Sequence, residues 1–67
     1  MMITLKAARV NKNLTQSQAA YFLGVSEATL RNYELGRSFP DALVLKKIEE
    51  LYGVGYDDLI FLPENHA

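Results

Sequence analysis

The sequence LTQSQAAYFLGVSEATLRNYELG, residues 14–36, contains start and stop signals for two helices joined by a short turn. Thr15 and Gln18 form a T-x-x-Q capping box, in which each side chain binds the backbone amide of the other residue. Gly24 favours the left-handed conformation that ends the first helix, and Ser26 is an N-cap for the second. Because the turn between them is so short, the second helix is expected to leave at a steep angle.

Apolar positions around this turn indicate that the two helices pack against each other. Ala20 has a small side chain four residues before Gly24, where the helices would touch. The positions that would close the corner are all apolar or aromatic: Leu23, Val25, Leu30 and Tyr33. Each feature alone is common in proteins, but their combination predicts a helix-turn-helix motif.

The flanking sequence predicts further helices on both sides of the motif. Asn13 ends a first helix and Gly36 ends the third, while Asp41 opens a fourth helix that Gly53 closes. A short fifth helix is predicted from about Tyr56 to Phe61. The chain shows no alternation of apolar and polar residues with period two, so no strands are predicted. The predicted fold class is all-α, a compact domain of five helices.

The length and composition fit one small domain, predicted to cover residues 1–67 with an ordered core of about 4–62. The chain has 67 residues, 49% of them apolar, no cysteine and a single histidine, His66. Disulfides and thiolate metal sites are therefore excluded. The longest apolar run, residues 19–23, is far shorter than the roughly 20 residues of a membrane-spanning helix, and no signal-peptide pattern opens the chain. A soluble, cytoplasmic protein is predicted.

The net charge of −1 conceals two halves of opposite sign. Residues 1–40 carry five basic and two acidic residues, a net +3, whereas residues 41–67 carry two basic and six acidic residues, a net −4. A basic front and an acidic back are compatible with one face of the domain meeting phosphate. The adjacent acidic pairs at 49–50 and 57–58 are expected to be solvated rather than to form a metal or acid–base site, because adjacent helix positions point to different faces.

The sequence resembles the Cro/CI-type (XRE) helix-turn-helix regulators. The matching residues are Leu14-Thr15-Gln16, Ala20, Leu23-Gly24-Val25-Ser26, Thr29-Leu30, Tyr33-Glu34, Gly36-Arg37 and Pro40, followed by Leu45, Ile48, Val54 and Leu59. The resemblance implies a lambda-repressor-like DNA-binding domain whose partner is double-stranded DNA. It also implies an internal ion pair between Arg9 and Glu34. Gly55 stands where the family usually has a Ser or Thr cap, so the start of helix five is expected to be loose.

The third helix is the expected recognition helix, since an α-helix fits the major groove and its first turns reach the base edges. Its outward residues are the predicted base contacts: Glu27, Ala28, Arg31 and Asn32. Asn32 can pair with adenine, Glu27 with cytosine, and Arg31 with guanine or a phosphate. As an alternative, Glu27 and Arg31 form an i,i+4 ion pair on a solvated face.

Three residues are predicted to contact phosphates: Gln16 at the start of helix two, the cap residue Ser26, and Arg37 after Gly36. The positive end of a helix dipole supports this function at Gln16. The alternatives are an exposed helix residue at Gln16 and a solvated charge at Arg37.

The chain has more apolar residues than five short helices can bury, which indicates an exposed interaction patch. The C-terminal half is the expected place for it, because that half is acidic and should face away from DNA. Ile60, Phe61 and Leu62 are its predicted dimer contacts. The predicted function is sequence-specific transcriptional regulation, as a homodimer on a two-fold symmetric operator, with no enzymatic activity, cofactor, metal, membrane or small-molecule substrate. The length leaves no room for a ligand or protease domain, so a stand-alone, Cro-like repressor is expected. The alternative function is an antitoxin-like protein-interaction module with secondary DNA binding.

Overall fold

The computed structural model describes residues 2–61, which form four α-helices, one 3-10 turn and a pair of two-residue strands. In chain order these are β1 (Ile3–Thr4), α1 (Leu5–Asn11), α2 (Gln16–Leu23), α3 (Glu27–Leu35), α4 (Ala42–Tyr52), the 3-10 turn (Tyr56–Asp58) and β2 (Leu59–Ile60). No helix in the described part of the chain is long and apolar enough to cross a membrane. The predicted dimer residue Leu62 and the single histidine His66 lie outside the described residues.

The helix boundaries around the central turn agree with the capping signals. Thr15 Oγ1 accepts the Gln18 backbone N–H at 3.0 Å, and Gln18 Oε1 accepts the Thr15 backbone N–H at 2.9 Å, which completes the capping box. Ser26 Oγ accepts the Thr29 backbone N–H at 3.0 Å. Gly24 takes the left-handed conformation with φ of 74°. The turn predicted from the sequence is therefore present, and its glycine has the left-handed conformation that other residues rarely adopt.

The core lies between the four helices and the strand pair. Ala19 and Ala20 of α2 are buried, so the backbones of α2 and its neighbours approach closely. The largest fully buried side chains are Tyr52, Leu23, Leu30 and Ile48. These residues come from α2, α3 and α4, and they pack the apolar face of α3 against its neighbours.

The prediction of a fifth helix and no strands was wrong. The chain instead makes a single 3-10 turn and then pairs in parallel with β1, with Ile3 opposite Leu59 and Thr4 opposite Ile60. Gly55 has no side chain to cap a helix, and the Tyr56 backbone N–H binds the Glu49 carboxylate at 2.8 Å instead. Strands of two residues are too short to show an alternating pattern, so the sequence held no signal for them.

Candidate nucleic-acid interface

One face of α3 is turned to solvent along its first two turns. Glu27, Ala28 and Arg31 are exposed and Asn32 is half-buried, whereas Leu30 is fully buried on the other side of the helix. At 3.6 residues per turn, these four positions fall within an arc of about 140° on one side of the helix. The four predicted base-contacting residues are therefore brought together on a single surface.

The N-terminus of α2 has backbone donors that the helix does not use. The capping box takes the Gln18 N–H, and the first N–H to bind within the helix is that of Ala19, which donates to the Thr15 carbonyl at 3.0 Å. The N–H groups of Gln16 and Ser17 precede these two and have no acceptor within a helix. Such donors, together with the helix dipole, favour an anion at this end of α2.

Ser26 already uses its hydroxyl in two ways. Its Oγ accepts the Thr29 backbone N–H and donates to Thr29 Oγ1 at 2.8 Å. The side chain is exposed, but its one hydroxyl proton must leave Thr29 before it can be donated to a phosphate. The Ser26 hydroxyl thus caps α3, and a phosphate contact would have to use the same hydroxyl.

Arg37 lies in a loop that is fixed to the end of α3. The backbone carbonyl of Asn32 accepts the N–H groups of Arg37 at 2.9 Å and Ser38 at 3.4 Å, and Gly36 is left-handed with φ of 77°. The Arg37 side chain is exposed. Its position follows that of α3, because its backbone is hydrogen-bonded to the last turn of that helix.

Arg9 and Glu34, the pair implied by the family resemblance, are in contact in the interior. Arg9 Nε lies 2.7 Å from Glu34 Oε2, and Arg9 Nη2 donates to Glu34 Oε1 at 3.3 Å. Both side chains are buried. The hydrogen bond to Glu34 raises the pKa of the Arg9 guanidinium above its usual value, against the smaller opposing effect of burial.

Gln16 joins this ion pair, a contact that the sequence analysis missed. Gln16 Nε2 donates to Glu34 Oε1 at 3.0 Å, and the Gln16 side chain is half-buried. Arg9 Nη1 also donates to the Leu14 carbonyl at 2.8 Å, just before the capping box. We call Arg9, Gln16 and Glu34 the Glu34 cluster. Gln16 and Glu34 are 18 positions apart and share no local sequence signal, so only the folded chain reveals their contact.

Two lysines each lie near the C-terminal end of a helix to which they do not belong. Lys47 Nζ is 3.5 Å from the position that a Cβ would take at Gly24, and Lys12 Nζ is 3.4 Å from the equivalent position at Gly53. Cations stabilise the negative end of a helix dipole. Neither α2 nor α4 has a basic residue in its own last turn, so a neighbouring segment supplies each charge.

The acidic pairs lie in α4 and in the 3-10 turn. Within residues 2–61, no group of three or more His, Cys, Asp or Glu side chains could hold a metal ion. Glu49 has a structural function instead, because it binds the Tyr56 backbone.

An aromatic cluster on the surface joins the loop before α4 to the end of the described chain. The rings of Phe39 and Phe61 lie 4.6 Å apart between centroids, and those of Tyr56 and Phe61 lie 5.7 Å apart. Phe39 is 56% exposed and Tyr56 is 50% exposed, whereas Ile60 and Phe61 are half-buried. We call Phe39, Tyr56 and Phe61 the aromatic cluster. It includes one of the predicted dimer residues, with Ile60 directly before it.

Comparison with known proteins agrees with this geometry. A family profile described as helix-turn-helix matches residues 5–59. The chain is 36% identical over 56 residues to the SPbeta prophage-derived uncharacterized HTH-type transcriptional regulator YonR of Bacillus subtilis (strain 168), over 84% of this chain and 52% of that protein. It is 38% identical over 56 residues to the HTH-type transcriptional activator BcrR of Enterococcus faecalis, over 84% of this chain and 28% of that protein.

A third relative is the plant protein Multiprotein-bridging factor 1a of Arabidopsis thaliana, 37% identical over 46 residues, which are 69% of this chain and 32% of that protein. The chain thus spans about half or less of the length of these curated relatives. The match of the profile covers all four helices and both sides of the central turn. The chain therefore belongs to the Cro/CI-type (XRE) helix-turn-helix family of transcriptional regulators.

Proposed function

We propose that this chain binds double-stranded DNA as a sequence-specific transcriptional regulator, with α3 in the major groove. The observation that carries the proposal is the exposed face of α3, which has only its opposite side in the core. The N-terminus of α2, with its unused N–H groups, belongs to the same motif. The B-DNA major groove, about 12 Å wide, admits an α-helix. Family membership supports the same function.

The side chains of this face suit base edges of different kinds. Asn32 donates and accepts through one amide, which matches N6 and N7 of adenine. Arg31 matches O6 and N7 of guanine, and Glu27 accepts from N4 of cytosine. Ala28 contacts a thymine methyl group. Glu27 repels phosphates, so it contributes to the choice of sequence rather than to affinity.

Phosphate contacts come from residues at the edges of the motif. Gln16 and the backbone N–H groups beside it bind one phosphate, and Arg37 binds another from the loop after α3. Ser26 contributes when its hydroxyl leaves Thr29. These contacts fix the register of the protein on the duplex, and they carry no sequence information.

The regulator acts as a homodimer on a two-fold symmetric operator, and the aromatic cluster is the proposed contact between copies. Phe39 and Tyr56 are largely exposed, and Ile60 and Phe61 complete the apolar surface, with Leu62 next along the chain. Exposed apolar patches mark interaction sites. Two α3 helices related by a two-fold axis lie about 34 Å apart, one turn of DNA, and this distance fixes the half-site spacing.

The same exposed patch favours a second candidate function, that of an antitoxin-like interaction module with secondary DNA binding. An apolar surface fits a different chain as readily as a second copy. A heteromeric partner that co-purifies with the protein favours the second function. A homodimer that sediments alone and binds DNA tightly favours the first.

Selection of bound sites from a random DNA library, followed by titration of the best site at several salt concentrations, tests the proposal. The expected result is a two-fold symmetric site. The logarithm of the affinity is expected to fall with the logarithm of the salt concentration, with a slope of about −0.9 per ionic phosphate contact. Arg37→Ala is expected to weaken all sites alike and to reduce the slope, whereas Lys46→Ala on α4 is a charge-matched control. The proposal would be contradicted if the selection enriched no site and the affinity did not depend on salt concentration.

Sedimentation of two phenylalanine variants tests the dimer. Phe39→Ser changes the aromatic cluster, and Phe22→Ser changes a side chain of similar exposure on α2, 59% against 56%. Phe39→Ser is expected to shift the protein towards the monomer and to lower operator affinity, while Phe22→Ser leaves both unchanged. A monomeric wild-type protein at high concentration would remove the dimer from the proposal.

A further inference from the structure

We propose that Glu34 positions the Gln16 amide for its phosphate contact, so that the buried Arg9–Glu34 pair controls DNA affinity in addition to stability. The inference rests on the proposed function, because it needs a phosphate at the N-terminus of α2. Glu34 and Arg9 are positioning residues here: both are 8% exposed, and they act on the DNA through Gln16.

The chemistry of the contact selects one orientation of the Gln16 amide. Glu34 Oε1 accepts from Gln16 Nε2 at 3.0 Å and from Arg9 Nη2 at 3.3 Å. A carboxylate oxygen can only accept, so the amide must turn its nitrogen and not its oxygen towards Glu34. The amide nitrogen has two hydrogens, and the second remains for another acceptor. Glu34 therefore prevents the flipped orientation of the amide, in which the oxygen would occupy the position of the nitrogen and its two hydrogens.

The Glu34 cluster also connects the three helices that must act together on DNA. Arg9 belongs to α1, Gln16 is the first residue of α2, and Glu34 is the last but one residue of α3. Arg9 in addition holds the Leu14 carbonyl, one residue before the α2 cap. The start of α2, which binds phosphate, is thereby fixed to α3, which reads bases.

Arg9 removes an electrostatic obstacle to this arrangement. An unpaired carboxylate next to the phosphate site would repel the DNA backbone. The Arg9 guanidinium contacts both oxygens of Glu34, at 2.7 Å and 3.3 Å, and cancels its charge. The carboxylate can then serve as an acceptor for Gln16 without weakening the attraction of the site for phosphate.

A side chain that is held in one conformation before binding loses less conformational entropy when it binds. A free glutamine side chain samples many rotamers and loses that freedom when it meets a phosphate. In this protein the hydrogen bond to Glu34 has already restricted the Gln16 side chain in the absence of DNA. Such preorganisation increases affinity without any additional contact.

A double-mutant cycle tests the coupling. The double variant Arg9→Met/Glu34→Leu replaces the ion pair with apolar side chains, a type of change that often preserves stability. DNA affinity is measured for the wild type, for Gln16→Ala, for the double variant, and for the triple variant. Gln16→Ala is expected to weaken binding about tenfold with the pair present and less than about twofold without it.

The outcomes of the cycle are distinct. An equal loss on Gln16→Ala in both backgrounds overturns the inference, because the pair would then have only a structural function. No loss in either background also overturns it, since Gln16 would not meet a phosphate. Failure of the wild-type protein to bind DNA at all contradicts the proposed function instead.

A second measurement uses the unmutated chain, so it does not depend on how the variants fold. Hydrogen exchange of side-chain NH2 groups is followed by NMR without DNA, with Gln18 as an internal control. Gln18 binds through its oxygen, whereas Gln16 binds through its nitrogen. Exchange at Gln16 is expected to be several-fold slower than at Gln18. Equal exchange rates would overturn the inference.

Discussion

The helix-turn-helix and the segment after α4, residues 54–61, acquire their structures in different ways. In the helix-turn-helix, Thr15 and Ser26 cap the two helices, and left-handed glycines end them. In the later segment, Gly55 supplies no cap, and Leu59–Ile60 form a strand beside Ile3–Thr4 near the other end of the chain. The comparison teaches that local signals decide structure where they are present, and that distant contacts decide it where they are absent.

The largest expected effect comes from the core that both regions share. Leu30 of α3 is fully buried and Leu59 of β2 is 5% exposed. Leu30→Ala and Leu59→Ala are each expected to lower the free energy of unfolding by about 2–5 kcal/mol, measured by urea denaturation. Leu35→Ala, in the same helix as Leu30 but 47% exposed, is the control and should stay within about 0.5 kcal/mol. A small loss for Leu59→Ala alone would mean that β2 adds little to the core.

Two glycine substitutions separate the regions more sharply. Gly24 has φ of 74°, so Gly24→Ala is expected to destabilise the protein by about 1–2 kcal/mol. Gly55 has φ of −84°, which any residue adopts, and a Cβ there would meet only Asp58 Oδ2 at 3.7 Å. Gly55→Ser is therefore expected to stabilise the protein by about 0.4–1 kcal/mol, through lower entropy of the unfolded chain and a new cap. Thermal unfolding of both variants checks the opposite signs, and destabilisation by Gly55→Ser would contradict the account.

Tyr52, the last residue of α4, gives a small predicted change at neutral pH. Its hydroxyl is buried and has no hydrogen-bond partner in the described part of the chain, so Tyr52→Phe is expected to stabilise the protein by up to about 1 kcal/mol at neutral pH. Tyr56→Phe, at an exposed tyrosine, is the control and should leave that stability unchanged.

The pH dependence of stability gives a second test of Tyr52. Burial raises the pKa of Tyr52 to about 12 from about 10 in the unfolded chain. The unfolded state therefore loses this proton first. The free energy of unfolding that is linked to the Tyr52 proton is constant below about pH 10. It falls by about 1.4 kcal/mol per pH unit between about pH 10 and pH 12. Denaturation curves of Tyr52→Phe should lack this part of the alkaline decline, and an identical decline would contradict the burial argument.

The sequence predicted the parts of the molecule that follow from short-range chemistry. Caps such as Thr15 and Asp41, and glycines such as Gly24, act within a few residues, so their patterns can be read directly. The pairing of β1 with β2 depends on residues more than fifty positions apart, and it leaves no periodic pattern. The Glu34 cluster illustrates both cases: family resemblance implied the Arg9 contact, but nothing indicated that Gln16 would join it.

The central claim is that α3 reads bases while the N-terminus of α2 binds phosphates. The most direct test measures the affinities of Asn32→Ala and Gln16→Ala for the selected site and for random duplex DNA. Asn32→Ala is expected to cost about 1–3 kcal/mol on the selected site and much less on random DNA, because its amide pairs with a base. Gln16→Ala should weaken both DNAs equally, since phosphates are the same everywhere. Equal weakening by Asn32→Ala, or a changed base preference in Gln16→Ala, would contradict the claim.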